Sequence, residues 1–212
     1  MADLDRLYQA VLNGDAKAAV AVTRQAIDEG IDPLALIQGT MVPAMDEVGR
    51  RFEAQDYFVP ELLLSARAMK ASLELLRPLL AGRDTAFAGR VAIGTVQGDL
   101  HDIGKNLVAA LLEGGGFEVI DLGTDVPPGK FVDAIQQQGA QIVALSALIT
   151  VTMGSMRKTI EALTAAGVRD RVKVMVGGAP VTQQFADQIG ADGYSENASA
   201  AVALARRLCG AA

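Results

Sequence analysis

The residues with chemical reach concentrate in one short stretch, Gly94-Thr-Val-Gln-Gly98-Asp99-Leu100-His101-Asp102-Ile103-Gly104-Lys105-Asn106. His101 is the only histidine in the chain, and an aspartate stands on each side of it. Three chemistries compete for this loop. A Walker-type phosphate loop needs four residues between Gly and Gly-Lys, then Ser or Thr. Here five residues separate Gly98 from Gly104, and Asn106 follows Lys105, so that pattern fails twice. Gly94, Gly98 and Gly104 also miss the spacing of a dinucleotide fingerprint. The third chemistry is metal ligation. A neutral imidazole is a good transition-metal ligand. Such a ligand usually gives its other ring N–H to a carboxylate, which fixes the tautomer and raises its basicity. Asp99, two residues earlier, is the candidate partner. One histidine with no nearby cysteine cannot build a multi-ligand site, so any remaining ligands must come from a macrocycle. On the loop alone, a hydrogen-bonded histidine or a general base fits equally well.

The elements that must position this loop change character near residue 85. Before it, the hydrophobic period is helical. Leu4, Leu7, Tyr8, Val11 and Leu12 form an i, i+3, i+4, i+7, i+8 stripe that Gly14-Asp15 interrupts. A second helix is predicted from about Ala16 to Glu29, with Gly30 as its C-terminal cap. Asp32-Pro33 reads as an N-cap followed by proline at the first helical position. The stripe Ile37, Met41, Met45, Val48 and Phe52 follows, and Pro43 within it predicts a break or kink near Thr40 to Val42. Val59-Pro60 opens a last helix with Leu62, Leu63, Ala66, Met69, Leu73 and Leu76 turned inward and Pro78 near its end. Together these make a four-helix bundle. Met41, Met45 and Met69 read as core.

Ala81 to Gly89 reads as a linker, dividing the chain into residues 1–85 and 89–212. Beyond it, short apolar runs alternate with helical stretches. The runs are Val91–Val96, Phe117–Asp121, Ile142–Ser146 and Val172–Val176, with a weak fifth near Gly193-Tyr194. Continuous apolar strands between helices predict an α/β fold, a doubly wound parallel sheet covered on both faces.

Composition narrows the setting. A formal charge of −6 without a basic cluster argues against nucleic acid as a partner. The lone Cys209 excludes an internal disulfide and a cysteine-based zinc or iron–sulfur site. The start, Met1-Ala-Asp-Leu-Asp-Arg, lacks the basic and apolar regions of a signal peptide. The long uncharged run from Ala134 to Met156 holds three consecutive glutamines and two glycines. It reads as a helix end, a buried strand and a loop rather than a membrane span. We expect a cytoplasmic protein with no membrane partner.

Asp99-x-His101-x-x-Gly104 resembles the D-x-H-x-x-G signature of cobalamin-binding domains. Ser146-Ala147-Leu148 is similar to their S-x-L motif, and Gly177-Gly178 to their double glycine. Three motifs in order are far more specific than any one. Phe52 through Lys70 resembles the helical cap module that precedes the cobalamin domain of methionine synthase. The resemblance covers nearly the whole chain and is closest to the free-standing corrinoid proteins of methyltransferase systems. It implies a flavodoxin-like five-stranded sheet of order 2-1-3-4-5. Ligands on such sheets sit beyond the strand ends at the switch between strands 1 and 3, which is where the two richest motifs fall.

The resemblance also implies a role for each motif residue. His101 would be the metal ligand, replacing the lower base of the cofactor on cobalt, with Gly98, Asp99, Leu100, Asp102, Ile103 and Gly104 around it. Thr152 would complete a His–Asp–hydroxyl relay, standing where methionine synthase has serine. Ser146, Leu148 and Thr150 would line a slot for the displaced base. Gly177 and Gly178 would allow close backbone approach, although a tight turn before Pro180 uses such a pair too. Ala198 would be a backbone contact, or simply a helix start. Phe52 and Val59 would cover the upper face, or simply fill the bundle core; Val59 stands where methionine synthase has leucine.

The implied cofactor is cobalamin or a related corrinoid, alternating between cob(I)alamin and methylcob(III)alamin. The implied activity is methyl carriage between a substrate-specific methyltransferase and a second methyltransferase with a tetrahydrofolate or thiol acceptor, maintained by a reductive activase. Two other readings share the signature: the small subunit of an adenosylcobalamin mutase, and a cobalamin-based light sensor.

Overall fold

The computed structural model describes residues 2–80 and 87–210. The chain separates into two compact units, Met1–Phe87 with Ala110–Gly116, and Ala88–Ala109 with Phe117–Ala212. Most of the linker expected over Ala81 to Gly89 lies outside the described residues.

The first unit is helical. Helix α1 (Leu4–Leu12) starts at Asp3, whose side chain accepts the N–H of Arg6. Helix α2 (Ala16–Asp28) starts at Asp15, which caps the N–H of Ala18. Gly30, at φ +74°, follows its last turn as expected. Helix α3 (Pro33–Leu36) begins with Pro33 at its first turn, but the Asp32 side chain makes no capping hydrogen bond. At the break or kink expected near Thr40 to Val42, the helix does not break, but it leaves α geometry there. A π-helical segment (Ile37–Met41) runs directly into α4 (Val42–Glu53), and the Val42 N–H reaches the Ile37 carbonyl. The physical reason lies in the ring: Pro43 lacks an N–H and would crowd the carbonyl four residues back, and a wider i→i+5 turn absorbs both defects without ending the helix.

Helix α5 (Val59–Leu80) buries Leu62, Ala66, Met69, Leu73 and Leu76 as expected. Leu63 is a correction, because it is 43% exposed while Ser65 and Ala68 are buried. Small residues let α5 approach α2 closely, and Ser65 donates its hydroxyl to the Leu12 carbonyl at 2.8 Å. The inward stripe therefore runs through small side chains that a hydrophobic count overlooks.

The second unit is an all-parallel five-stranded sheet of order β2-β1-β3-β4-β5. Its strands are β1 (Arg90–Thr95), β2 (Glu118–Asp121), β3 (Ile142–Ser146), β4 (Lys173–Gly177) and β5 (Gly193–Ser195). In β1 and β3 both alternating sets of side chains are buried, as parallel strands covered on two faces require. Helices α6 (Ile103–Gly114), α7 (Pro128–Gln138), α8 (Met153–Ala165), α9 (Gln183–Ile189) and α10 (Ala198–Leu208) connect or follow them. Ala92, Val143, Leu145, Val174 and Val176 pack with Phe131 and Ile135 of α7 and Met156, Ile160 and Leu163 of α8. Helix α10 packs on β4 and β5. Among the described residues no helix is long and apolar enough to cross a membrane.

Candidate functional site

Strands β1 and β3 are neighbours in space but not in sequence, and they pair with Thr95 opposite Ser146. Their carboxyl ends bring two loops together. The first carries Gly98 to His101 and the second Leu148 to Thr152. Asp99 joins them. It is 1% exposed, yet every acceptor position that matters is used. Its Oδ1 lies 2.7 Å from Nδ1 of His101 and accepts the His101 N–H at 3.1 Å. Its Oδ2 accepts the N–H groups of Leu148 at 2.8 Å and Ile149 at 3.4 Å, and the hydroxyl of Thr152 at 2.7 Å.

Burial alone would raise the pKa of Asp99. The Leu148 N–H, the Thr152 hydroxyl and the ring and N–H of His101 outweigh it and hold the carboxyl well below the usual range. An ionised carboxylate only accepts hydrogen bonds, so the proton between the two groups sits on Nδ1. In the neutral ring this leaves the lone pair on Nε2. Among the described residues no hydrogen bond engages Nε2, and the side chain is about half exposed.

The loop is pinned at further points. The Thr95 hydroxyl donates to the His101 carbonyl at 2.8 Å. Gly98, at φ +89°, donates its N–H to Asp125 Oδ1 at 2.7 Å. A side chain there would be strained by that backbone angle. On the β2 side, Lys105 Nζ lies 2.6 Å from both oxygens of Asp121 and 2.7 Å from Asn106 Oδ1.

A cavity of about 650 Å³ opens beside His101. Its volume lies in the range of small-molecule sites. It is lined by Leu100, His101, Asp102, Ile103 and Gly104 from the first loop, and by Ser146 and Leu148 after β3. Gly177 and Gly178 after β4 and Ala198 at the start of α10 complete the same wall. Gly178 permits the closest approach: a Cβ there would stand 1.9 Å from the Ala147 carbonyl oxygen. At the rim Leu100 is 73% and Ile103 80% exposed, an unusual outlay of apolar surface.

Most of the predicted residues therefore converge. Gly98, Asp99 and Thr152 sit behind the cavity wall as supports. Thr150 is exposed and does not line the cavity. Phe52 and Val59 belong to the helical unit, where Phe52 is half-buried and Val59 is 40% exposed. Sequence reasoning missed Thr95, Asp121 and Asp125, and treated Lys105 only as a failed phosphate-loop lysine. A hydroxyl at the end of a buried apolar strand was a signal for Thr95. Nothing local marked the two aspartates, whose partners lie on another strand end.

Residues 89–203 match a family described as B12 binding domain, and residues 3–77 match a second family of the same description. The trimethylamine corrinoid protein of Methanosarcina barkeri is 46% identical over 197 residues, 92% of this chain and 91% of that protein. The crystal structure of a cobalamin-binding protein from Desulfitobacterium hafniense DCB-2 is similar at a TM-score of 0.78 and 36% identity, covering 98% of this chain and 99% of that one. The methanol:cobalamin methyltransferase complex MtaBC from Methanosarcina barkeri contains a chain similar at a TM-score of 0.86 and 30% identity, covering 99% of this chain and 80% of that one.

Proposed function

The chain belongs to the B12-binding corrinoid proteins, and on that premise we propose that it is a methyl carrier in which His101 would hold the cofactor through its cobalt, in place of the cofactor's own base. The observation that carries the ligand assignment is the Asp99–His101 pair, with Nδ1 engaged at 2.7 Å and Nε2 left for a metal. Among the described residues no group of three or more His, Cys, Asp or Glu could hold an ion. A single imidazole suits a metal whose other ligands arrive with a macrocycle.

The surroundings fit such a group. The cavity has a small-residue wall at Ser146, Gly177, Gly178 and Ala198, suited to a base and tail displaced from cobalt. Leu100 and Ile103 offer exposed apolar surface to a macrocycle. When bound, the corrinoid would supply the methyl-transfer chemistry. The chain's own residues bind and orient it. Asp99 keeps the proton on Nδ1 and raises the basicity of Nε2. Leu148 N–H, Ile149 N–H and Thr152 fix Asp99 so that the imidazole plane cannot turn.

In this reading residues 1–85 form the helical module and 89–212 the cofactor module. The partners are a substrate-specific methyltransferase, a second methyltransferase with a tetrahydrofolate or thiol acceptor, and a reductive activase. The names of the trimethylamine corrinoid protein and of the MtaBC complex support the first of these and favour methyl carriage over a mutase or a light sensor. A cytoplasmic setting accords with the single Cys209.

The test is direct. The full chain mixed with hydroxocobalamin should form a one-to-one complex, and His101→Ala should change its visible spectrum. An unchanged spectrum in that variant would remove His101 from the cobalt.

A further inference from the structure

The Asp99 side of the His101 loop is tied to β3. The opposite side is tied to β2 by a second set of contacts, built around a buried cation. Lys105 is 3% exposed. An ammonium so far from water needs full compensation. It finds it in both oxygens of Asp121 at the end of β2 and in Oδ1 of Asn106. Asn106 in turn donates through Nδ2 to Asp102 Oδ2 at 3.1 Å, and its N–H reaches the Asp102 carbonyl at 2.8 Å. Asp102 directly follows His101 in the chain. The four side chains Asp121, Lys105, Asn106 and Asp102 thus form a continuous link from the end of β2 to the neighbour of the histidine. Asp121 is itself held, because its Oδ1 accepts the Gly123 N–H at 2.9 Å.

We infer that Lys105 and Asp121 are positioning residues for His101, sharing with Asp99 and Thr152 the task of holding the imidazole at the cofactor. The inference rests on the reading of His101 as the cobalt ligand. Its physical content is that β1 lies between β2 and β3. Asp125, which follows β2, already holds the loop before the histidine, through the Gly98 N–H and the Asp99 carbonyl, but without a further tie the segment after the histidine could still rock toward β2. The Lys105–Asp121 pair removes that freedom, because releasing it leaves an uncompensated ammonium in a buried place. Asp121 remains 46% exposed, so it can be separated from Lys105 without burying its own charge.

The test uses the full chain, isotopically labelled in its nitrogen so that a histidine nitrogen splits the EPR signal differently from the cofactor's own base, loaded with hydroxocobalamin and reduced to the cobalt(II) form. The readouts are the splitting from protein nitrogen and cobalamin affinity. Asp121→Asn keeps the shape and removes the counter-charge. Lys105→Met removes the buried cation and leaves Asp121 to solvent, so one variant stays folded if the other does not. Each should lower the fraction of histidine-coordinated cobalt and weaken cobalamin binding about tenfold or more. Lys105 also lines the cavity, so the control is Asp121→Asn: in a His101→Ala background it should weaken binding less than about twofold, because Asp121 acts through His101.

Unchanged nitrogen splitting in both variants overturns the inference. So does an equal loss of affinity with and without His101, which would mark a purely structural pair. If His101→Ala itself leaves the splitting intact, the ligand reading fails and the positioning role falls with it.

Discussion

Thr152 donates its hydroxyl to Oδ2 of Asp99 at 2.7 Å, while Oδ1 of the same carboxylate holds Nδ1 of His101 at 2.7 Å. Compared with a serine, the extra methyl group of this threonine does not displace the hydroxyl. The methyl lies beside Gly98, 3.5 Å from where a Cβ on that glycine would be. The Thr152 hydroxyl has a second acceptor, the Ile149 carbonyl at 2.8 Å, but the ionised carboxylate is the stronger one.

Thr152→Val should therefore destabilise the chain by about 1.5–3 kcal/mol, the usual cost of losing a hydrogen bond to a charged group. Thr152→Ser should stay within about 1 kcal/mol of the parent, since it keeps the donor and loses only one methyl. Urea unfolding midpoints measure both. Equal midpoints for the Val variant and the parent would mean the hydroxyl is energetically idle.

The depressed pKa of Asp99 makes its contribution pH-dependent. A carboxyl held below its ordinary value of about 3.8 stabilises the fold fully above that value and loses the contribution as pH falls toward the folded-state pKa. Asp99→Asn should thus be clearly less stable than the parent at about pH 7 and about pH 5, with the gap narrowing at about pH 3. Denaturant titrations at those three conditions decide it. A gap that persists undiminished in acid would assign the loss to packing instead of charge.

Gly178→Ala should be severe. The added Cβ meets the Ala147 carbonyl at 1.9 Å, and φ +127° is strained for any residue with a side chain. Overpacking and strain together should cost about 3 kcal/mol or more. The variant that survives purification should bind hydroxocobalamin poorly, because the β3 and β4 loops that wall the cavity must part. Thermal unfolding and a spectroscopic binding titration give the two readouts.

Ile103→Asn separates binding from stability. Ile103 is 80% exposed, so the substitution should shift stability by no more than about 0.5 kcal/mol. Cobalamin affinity should nonetheless fall severalfold, as the loss of apolar contact surface requires. Unaltered affinity would show that this side chain does not meet the cofactor.

Much of this fold could be read from the chain. The apolar runs located all five strands within a residue or two, the fifth only weakly. The central strands read most clearly, because strands buried on both faces carry a signal that depends only on residue type. Leu7, Val11 and Leu12 of the α1 stripe and the Gly30 cap were legible too, whereas Leu4 of that stripe is exposed. Leu63 and Pro43 were not. The inward face of α5 includes Ser65 and Ala68, small residues whose burial depends on how closely α2 approaches. Pro43 is accommodated by a π turn that no periodicity announces.

By itself the sequence determined which side chains could ligate, which could orient a ligand, and that a parallel sheet would carry them. The pairing Asp99–His101 was readable because two residues on one loop cannot be far apart. Only the tertiary structure decided what holds Asp99 itself: the N–H groups of Leu148 and Ile149 and the hydroxyl of Thr152, from the loop after β3, 49 or more residues away. The same holds for Lys105 in the first turn of α6 and Asp121 at the end of β2. Hydrogen bonds have a reach of about 3 Å. Which groups come within it across a sheet is set by strand order and register, and those are properties of the folded chain alone.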